Sequence, residues 1–282
     1  MNFPSSIEAF ALAPNGGAYI TGTTYTSEFL TTPRAFQTRW PSAQTAFVAK
    51  FDFSKPAGIE LTCLVNAANP YTGGEVAPGE LVTLFGLNFT PDADLNITFD
   101  GRTAPLTYSG ATQINAVVPF EVSDAPGSST LISIQSGGQT YGPVELPVAP
   151  AQPGLFTRDG SGQGQAAILN QDGTLNSITN PAPAGSVVAV YMTGVGDYKQ
   201  RIADGSLGPL EPPFPSPVLG VSATINGEQG LVLFVGQAPG LIAGVVQVNL
   251  QVPDDATSGM ATLVVYVGNY ASFSLGPNLA IK

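Results

Sequence analysis

One order of short motifs occurs twice along this chain, and the duplication constrains the fold more than any other feature. Ala77-Pro78-Gly79-Glu80-Leu81-Val82-Thr83-Leu84-Phe85-Gly86 opens a first unit. Ile97-Thr98-Phe99-Asp100-Gly101-Arg102 follows, and Gln113-Ile114-Asn115-Ala116-Val117-Val118-Pro119 comes third. A second unit keeps the order: Ala184-Gly185-Ser186-Val187-Val188-Ala189-Val190-Tyr191, then Ala223-Thr224-Ile225-Asn226-Gly227-Glu228, then Gln247-Val248-Asn249-Leu250-Gln251-Val252-Pro253. Matched positions lie 106 residues apart at the opening glycine, 126 at the turn and 134 at the Gln-x-Asn run, so the second unit carries insertions, each at a loop. Self-similarity of this kind marks two copies of one structural unit.

Each repeated element reads as β structure. Asp100-Gly101 and Asn226-Gly227 suit two-residue type I′ hairpins, in which both central residues need positive φ. Pro119 and Pro253 end strands, because proline has no N–H for the ladder. In residues 247–252 the apolar and amide side chains alternate, placing Val248, Leu250 and Val252 in a core and the amides in water. Each unit closes with a further hairpin, residues 129–135 with 140–148 and 261–267 with 271–279. Helical periodicity is nearly absent: residues 7–12 could make one turn, but Pro14 and Gly16-Gly17 stop it. With 33 glycines and 25 prolines punctuating the runs every eight to twelve residues, the expectation is an all-β chain. It holds two tandem immunoglobulin-like β-sandwiches, residues 61–152 and 153–282, of about seven strands each. The first sixty residues differ from both units. Residues 17–24 read as a strand, and residues 46–52 and 59–64 as hairpin partners around Ser54-Lys55-Pro56-Ala57-Gly58.

Several chemistries are excluded by what the chain lacks. There is no histidine, which removes Ser-His-Asp and Cys-His catalysis, histidine zinc sites and a histidine pH switch. The single cysteine, Cys63, allows no internal disulfide and no cysteine-cluster metal site. It sits in the apolar run Leu61-Thr62-Cys63-Leu64-Val65 and reads as a buried small hydrophobe. Nine Lys and Arg are scattered through a chain of net charge −11, so no cationic stripe exists for nucleic acid or for an anionic membrane surface. No apolar run approaches the ~20 residues that cross a bilayer. The first eight residues lack the basic and apolar regions of a secretory signal, yet the Thr/Ser/Gly/Asn-rich, lysine-poor composition looks extracellular. The expectation is an extracellular or cell-surface location as part of a longer exported protein.

The candidate sites are few. Asn170-Gln171-Asp172-Gly173-Thr174-Leu175-Asn176 offers oxygen ligands, with Asp172 and Asn176 as calcium candidates, but lacks the bidentate glutamate of a calcium loop. Pro91-Asp92-Ala93-Asp94-Leu95-Asn96 offers Asp92 and Asp94. For both, the alternative is a turn. The Gly-rich run 159–165 has neither the following helix nor the lysine of a phosphate cradle. Paired carboxylates could hydrolyse a glycosidic bond, but Asp100, Glu121, Asp159, Asp197, Asp204 and Glu211 are scattered and nominate no pair. Residues 196–217, with five prolines around Phe214, form the longest departure from compact β structure. Loops of this length are often functional, which makes Tyr198 and Phe214 candidate exposed partner contacts. Trp40 is a third.

Residues 13–24, 31–37 and 46–52 together resemble one SBBP repeat, the unit of β-propeller blades in exported bacterial proteins, which implies an N-terminal blade-like segment over residues 1–60. A propeller needs several blades to close, so a lone one implies the remnant of a longer protein. From residue 65 onward the chain resembles the uncharacterised C-terminal domain family named for Solibacter. The resemblance is carried by Val65-Asn66-Ala67-Ala68, Val76-Ala77-Pro78-Gly79-Glu80, Gln113 to Pro119, Pro153-Gly154-Leu155-Phe156-Thr157, residues 162–167, residues 170–176 and Ala238-Pro239-Gly240. Each half also resembles an IPT/TIG immunoglobulin-like module. These resemblances imply no established activity. The expected role is a non-catalytic binding, adhesion or spacer module whose partner is a protein or glycan surface. The alternatives are a carboxylate-based carbohydrate hydrolase and a C-terminal sorting or assembly domain.

Overall fold

The structure, a computed structural model, describes residues 5–13, 17–25, 35, 44–51, 58–91, 94–122, 127–200, 202–272 and 278–282. Among them every regular element is a strand. Strands β1 (Ser5–Leu12), β2 (Ala18–Thr24) and β3 (Thr45–Phe51) form an antiparallel three-stranded sheet in the order β1-β2-β3. The expected pairing of residues 46–52 with 59–64 is not made. β3 pairs with β2 instead, and β4 (Glu60–Asn66) pairs with β5 (Leu81–Leu87). Burial decides this: Leu61 and Leu64 of β4 are needed in the next core.

That core lies between two four-stranded sheets. One runs β4-β5-β9-β8, with β8 at Leu106–Ser109 and β9 at Gln113–Val117. The other runs β11-β10-β6-β7, with β6 at Asn96–Phe99, β7 at Arg102–Thr103, β10 at Ser129–Ser136 and β11 at Gln139–Pro147. The alternate positions Leu84, Ile97, Phe99, Ile114, Ile132 and Ile134 are fully buried between them. Face-to-face packing of alternating strands is the sandwich arrangement.

The second unit is built alike. β12 (Gly154–Leu155), β13 (Ile168–Leu169), β14 (Val187–Thr193), β17 (Val246–Gln251) and β16 (Glu228–Gln237) make one layer. β15 (Val221–Ile225), β18 (Gly259–Val267), β19 (Tyr270–Ala271) and β20 (Asn278–Ile281) make the other. β16 belongs to both, pairing with β17 along most of its length and with β15 at its start. Val188, Val190, Val248, Leu250, Leu263 and Val265 fill the space between. The chain is thus all-β, with tandem immunoglobulin-like sandwiches.

The repeated turns are one device used twice. Asp100 and Gly101 have φ of 49° and 77°, and Asn226 and Gly227 have 51° and 85°, the mirror-image turn that matches strand twist. Each Asx side chain also caps the neighbouring strand. Asp100 Oδ1 accepts from Leu131 N at 2.9 Å, and Asn226 Oδ1 accepts from Thr262 N at 2.8 Å.

Candidate functional site: an interdomain junction and two amide–aromatic faces

Three of the motifs behind the family resemblance, residues 65–68, 76–80 and 153–157, meet where the two sandwiches join. Asn66, at the end of β4, is buried and uses its full hydrogen-bonding capacity. Its Nδ2 donates to Glu80 Oε1 at 2.9 Å and to Gln152 O at 2.8 Å. Its Oδ1 accepts from Ala68 N at 2.9 Å and Asn69 N at 3.2 Å. Glu80 is only 1% exposed, and its other oxygen accepts from Ala77 N at 2.7 Å. Burial pushes its carboxyl well above the usual carboxylate range, and the Ala77 and Asn66 hydrogen bonds only partly offset that. Gly154 is packed so closely on the Asn66 amide that a Cβ there would collide with it.

Further bonds extend the joint. Leu81 N donates to the buried Thr193 Oγ1 at 2.9 Å, Gln152 Nε2 donates to Glu75 Oε1 at 2.8 Å, and Phe120 N donates to Asp204 Oδ1 at 3.0 Å. The bonds of Asn66, Glu80 and Gln152 lie within the first unit and brace its side of the joint, while Leu81 N to Thr193 Oγ1 and Phe120 N to Asp204 Oδ1 cross it, so the polar groups there are satisfied.

The long loop belongs to this joint, which corrects the sequence expectation for Tyr198. Its side chain is 5% exposed and packs edge-on to Phe120 of the first unit, with ring centroids 5.7 Å apart. Its hydroxyl has no hydrogen-bond partner, and burial raises its pKa. The loop is not free-standing, because Lys199 N donates to Ser216 O and Val218 N donates to Asp197 O. Phe214 is half-buried, edge-on to Phe234 at 5.5 Å. Trp40 lies outside the described residues.

Among the described residues, several of the scattered carboxylates serve local structure. Asp100 caps a strand, Asp159 accepts from Ser161, and Asp197 accepts from Tyr198 N. Asp204 and Glu121, scattered in sequence, are brought into direct hydrogen-bonding contact across the joint. Burial, then the Glu121 charge and hydrogen bond, raise the Asp204 pKa against the lowering effect of the Phe120 N–H.

The described calcium candidates make hydrogen bonds within the protein. Asp172 Oδ1 accepts from the Thr174 hydroxyl and N–H, which holds its pKa down. Asn176 is fully buried; it donates to Asn170 Oδ1 and Ala280 O and accepts from Ala280 N and Gln165 Nε2. Asp94 accepts from Gly137 N and Gly138 N, clamping a hairpin turn. Asp92 lies outside the described residues. No group of three or more metal-ligating side chains occurs among the described residues. An open cleft of about 510 Å³ lies beside Asn170, Gln171, Asp172, Asn180 and Lys282, but its amides are engaged in local turns. Cys63 is half-buried rather than buried, because it sits on the outer face of β4, and desolvation raises its thiol pKa.

A second feature went unread in the sequence: the outward faces of the two Gln-x-Asn strands are copies of each other. In the first unit Gln113 is flanked by Phe85 on β5 and by Gly110, while Asn115 is flanked by Thr83 and Tyr108. In the second, Gln247 is flanked by Tyr191 and Gly236, while Asn249 is flanked by Ala189 and Phe234. The amides are hydrogen-bonded to each other in both, Gln113 Nε2 to Asn115 Oδ1 at 2.9 Å and Gln247 Nε2 to Asn249 Oδ1 at 2.8 Å. A bulge immediately precedes the aromatic residue in both, between Leu106 and Tyr108 and between Val232 and Phe234; bulges re-aim side chains. The aromatic ring then lies over the glycine two residues on. A Cβ at Gly110 would lie 2.8 Å from the Tyr108 hydroxyl, and one at Gly236 would lie 3.0 Å from Phe234 Cζ. The signal was present in the sequence as Tyr108-x-Gly110 and Phe234-x-Gly236, but only strand pairing places these beside the amides.

Comparison with known proteins adds a family-model match over one part of the chain. No curated protein matches the sequence. Among solved structures, the surface glycan-binding protein SGBP-B of the Bacteroides ovatus mixed-linkage glucan utilisation locus, in complex with a mixed-linkage heptasaccharide, is 14% identical with a TM-score of 0.35. The match covers 95% of this chain and 53% of that one. The surface glycan-binding protein PbSGBP-B of Prevotella bryantii is 12% identical with a TM-score of 0.23, covering 79% and 42%. The titin Ig tandem A164-A165 is 8% identical with a TM-score of 0.24, covering 80% and 95%. The chain thus spans about half or less of the two bacterial proteins. At these identities and scores the three assign neither ligand nor partner here. The IPT/TIG domain model matches residues 64–148, the stretch from within β4 to just beyond β11.

Proposed function

We propose that the chain is a non-catalytic binding and spacer module, extracellular or on the cell surface, within a longer exported protein. In this reading residues 61–152 and 153–282 are the two sandwich units, the second a diverged copy of the first. Residues 1–60 are a blade-like remnant at the end of a propeller-bearing chain. The observation that carries the reading is the joint. Leu81 N on the buried Thr193 Oγ1 and Phe120 N on Asp204 Oδ1 cross from one sandwich to the other, and Gly154 is packed on the buried Asn66 amide, as a spacer that presents surfaces at fixed separation requires. The partner is a protein or glycan surface.

The test is a glycan and cell-wall array on the intact protein, with the bound material afterwards assayed for release of reducing ends. Retention without release is the expected result. Release that is lost in Asp204→Asn or Glu121→Gln would overturn the non-catalytic reading, and silence on every surface would leave only the spacer role.

A further inference from the structure

We infer that the amide–aromatic faces are a duplicated contact site for a neutral oligosaccharide, with the Gln113–Asn115 face as the open copy. This rests on the reading of the chain as a binding module and names the ligand class.

The amide pair is set before any ligand arrives. Because Gln113 Nε2 is bonded to Asn115 Oδ1, Gln113 Oε1 and Asn115 Nδ2 remain, an acceptor and a donor side by side, with no protein partner among the described residues. Fixing one amide against the other removes part of the rotamer entropy that binding would otherwise cost. Hydroxyl groups, which both donate and accept, complement that pair.

Aromatic rings flank the amides. Phe85 and Tyr108 are 37% and 53% exposed and stand on strands either side of β9, offset by two residues along it, about 12 Å apart by strand spacing and rise. Tyr108 is laid across Gly110, where no Cβ props it up, so its ring forms a platform rather than a projecting knob. Flat rings beside paired amides match a pyranose chain, whose units carry an apolar C–H face and a rim of hydroxyls.

Charge narrows the ligand further. Neither row on either unit contains a charged side chain, and the chain as a whole has net charge −11. Such a face accepts an uncharged ligand without desolvating an ion, and the surrounding field repels an anionic one. A peptide would sooner add to the exposed edge of β8 through its backbone than use amides on the middle strand. The second copy is more enclosed, because Phe214 packs on Phe234, and one end of the first copy is closed by the joint, where Leu81 and Val117 are buried.

The duplication is what separates this site from chance exposure. Aromatic residue, amide pair, bulge and glycine recur at three different sequence offsets, so strand pairing has kept them in one constellation while the loops between changed length.

The experiment is calorimetric titration of the intact chain with neutral oligosaccharides of four to eight sugars, α- and β-linked, alongside their carboxylated counterparts and an extended polar peptide. The expected result is binding of a neutral oligosaccharide, weakened about tenfold by Gln113→Ala with Asn115→Ala and by Tyr108→Ala, and weaker still for the carboxylated form. Thermal melts of each variant check that folding is retained, and Gln247→Ala with Asn249→Ala tests the second copy independently. Neutral-glycan affinity untouched by both amide pairs would overturn the site while leaving the binding module standing. Preference for the carboxylated ligand or the peptide would overturn the ligand class. Absence of binding to any glycan or peptide would overturn the site and the binding role together, leaving the module as a spacer.

Discussion

Removing the Asn66 side chain should weaken the joint and the first sandwich together. Asn66→Ala deletes four hydrogen bonds, to Glu80 Oε1, Gln152 O, Ala68 N and Asn69 N. Asn69 N retains a second acceptor in Asn66 O, so three partners are left without a replacement, two of them buried and Gln152 O partly so. At a net 0.5–1.5 kcal/mol per neutral bond, and more for a bond to a carboxylate, the loss is about 4 kcal/mol. With a urea dependence of roughly 2 kcal/mol per molar, the denaturation midpoint should fall by about 2 M. Hydrogen exchange at Leu81 N, which donates to Thr193 across the joint, should speed up under native conditions, because a loosened joint opens below the cost of global unfolding. Asn66→Asp is the informative companion. It keeps the acceptor for Ala68 and Asn69 but sets a second oxygen against Glu80 Oε1 and Gln152 O, so it should be no better than alanine at neutral pH and should recover on acidification. A midpoint that moves by less than about 0.5 M for Asn66→Ala, with unchanged exchange at Leu81, would refute the account of the joint.

Three further outcomes are expected. Tyr198→Phe should raise stability by about 1 kcal/mol, since the buried hydroxyl it removes has no partner and its desolvation is uncompensated; a lower melting temperature would contradict this. Asn226→Ala should cost about 1–2 kcal/mol by thermal denaturation, because the residue sits at φ of 51° and its side chain caps Thr262 N. The third concerns pH. Glu80 and Asp204 both have carboxyl pKa values raised in the fold, chiefly by burial. Their contribution to stability is therefore fully present below the unfolded carboxylate range, near pH 4, and is lost as pH rises through the raised folded values. The stability difference between pH 4.5 and 7.5, conditions of roughly the window so defined, should shrink in Asp204→Asn and in Glu80→Gln; an unchanged difference measured by urea denaturation would count against raised values at the joint.

Local chemistry settled the strands and turns in advance. Asn226-Gly227 and Asp100-Gly101 can close a two-residue hairpin whatever surrounds them, and the alternation of Val248, Leu250 and Val252 with amides commits one face of that strand to a core. Strand partners were less legible. Residues 46–52 and 59–64 are close in sequence and both β-forming, yet they separate into different sheets because burial of Leu61 and Leu64 outweighs proximity. Exposure was the other weak point: a proline-rich loop suggests an open tip, but Tyr198 is drawn into the joint by Phe120, a residue far away along the chain.

What the sequence determined by itself was the all-β, duplicated character of the chain and the chemistries it lacks, since turn residues, side-chain alternation and the absence of histidine act locally or by composition. Only the tertiary structure decided that Asn66, Glu80 and Gly154 form one joint, and that Tyr108 and Phe234 lie beside paired amides. These are relations between strands, fixed by register and packing rather than by any residue's own preference.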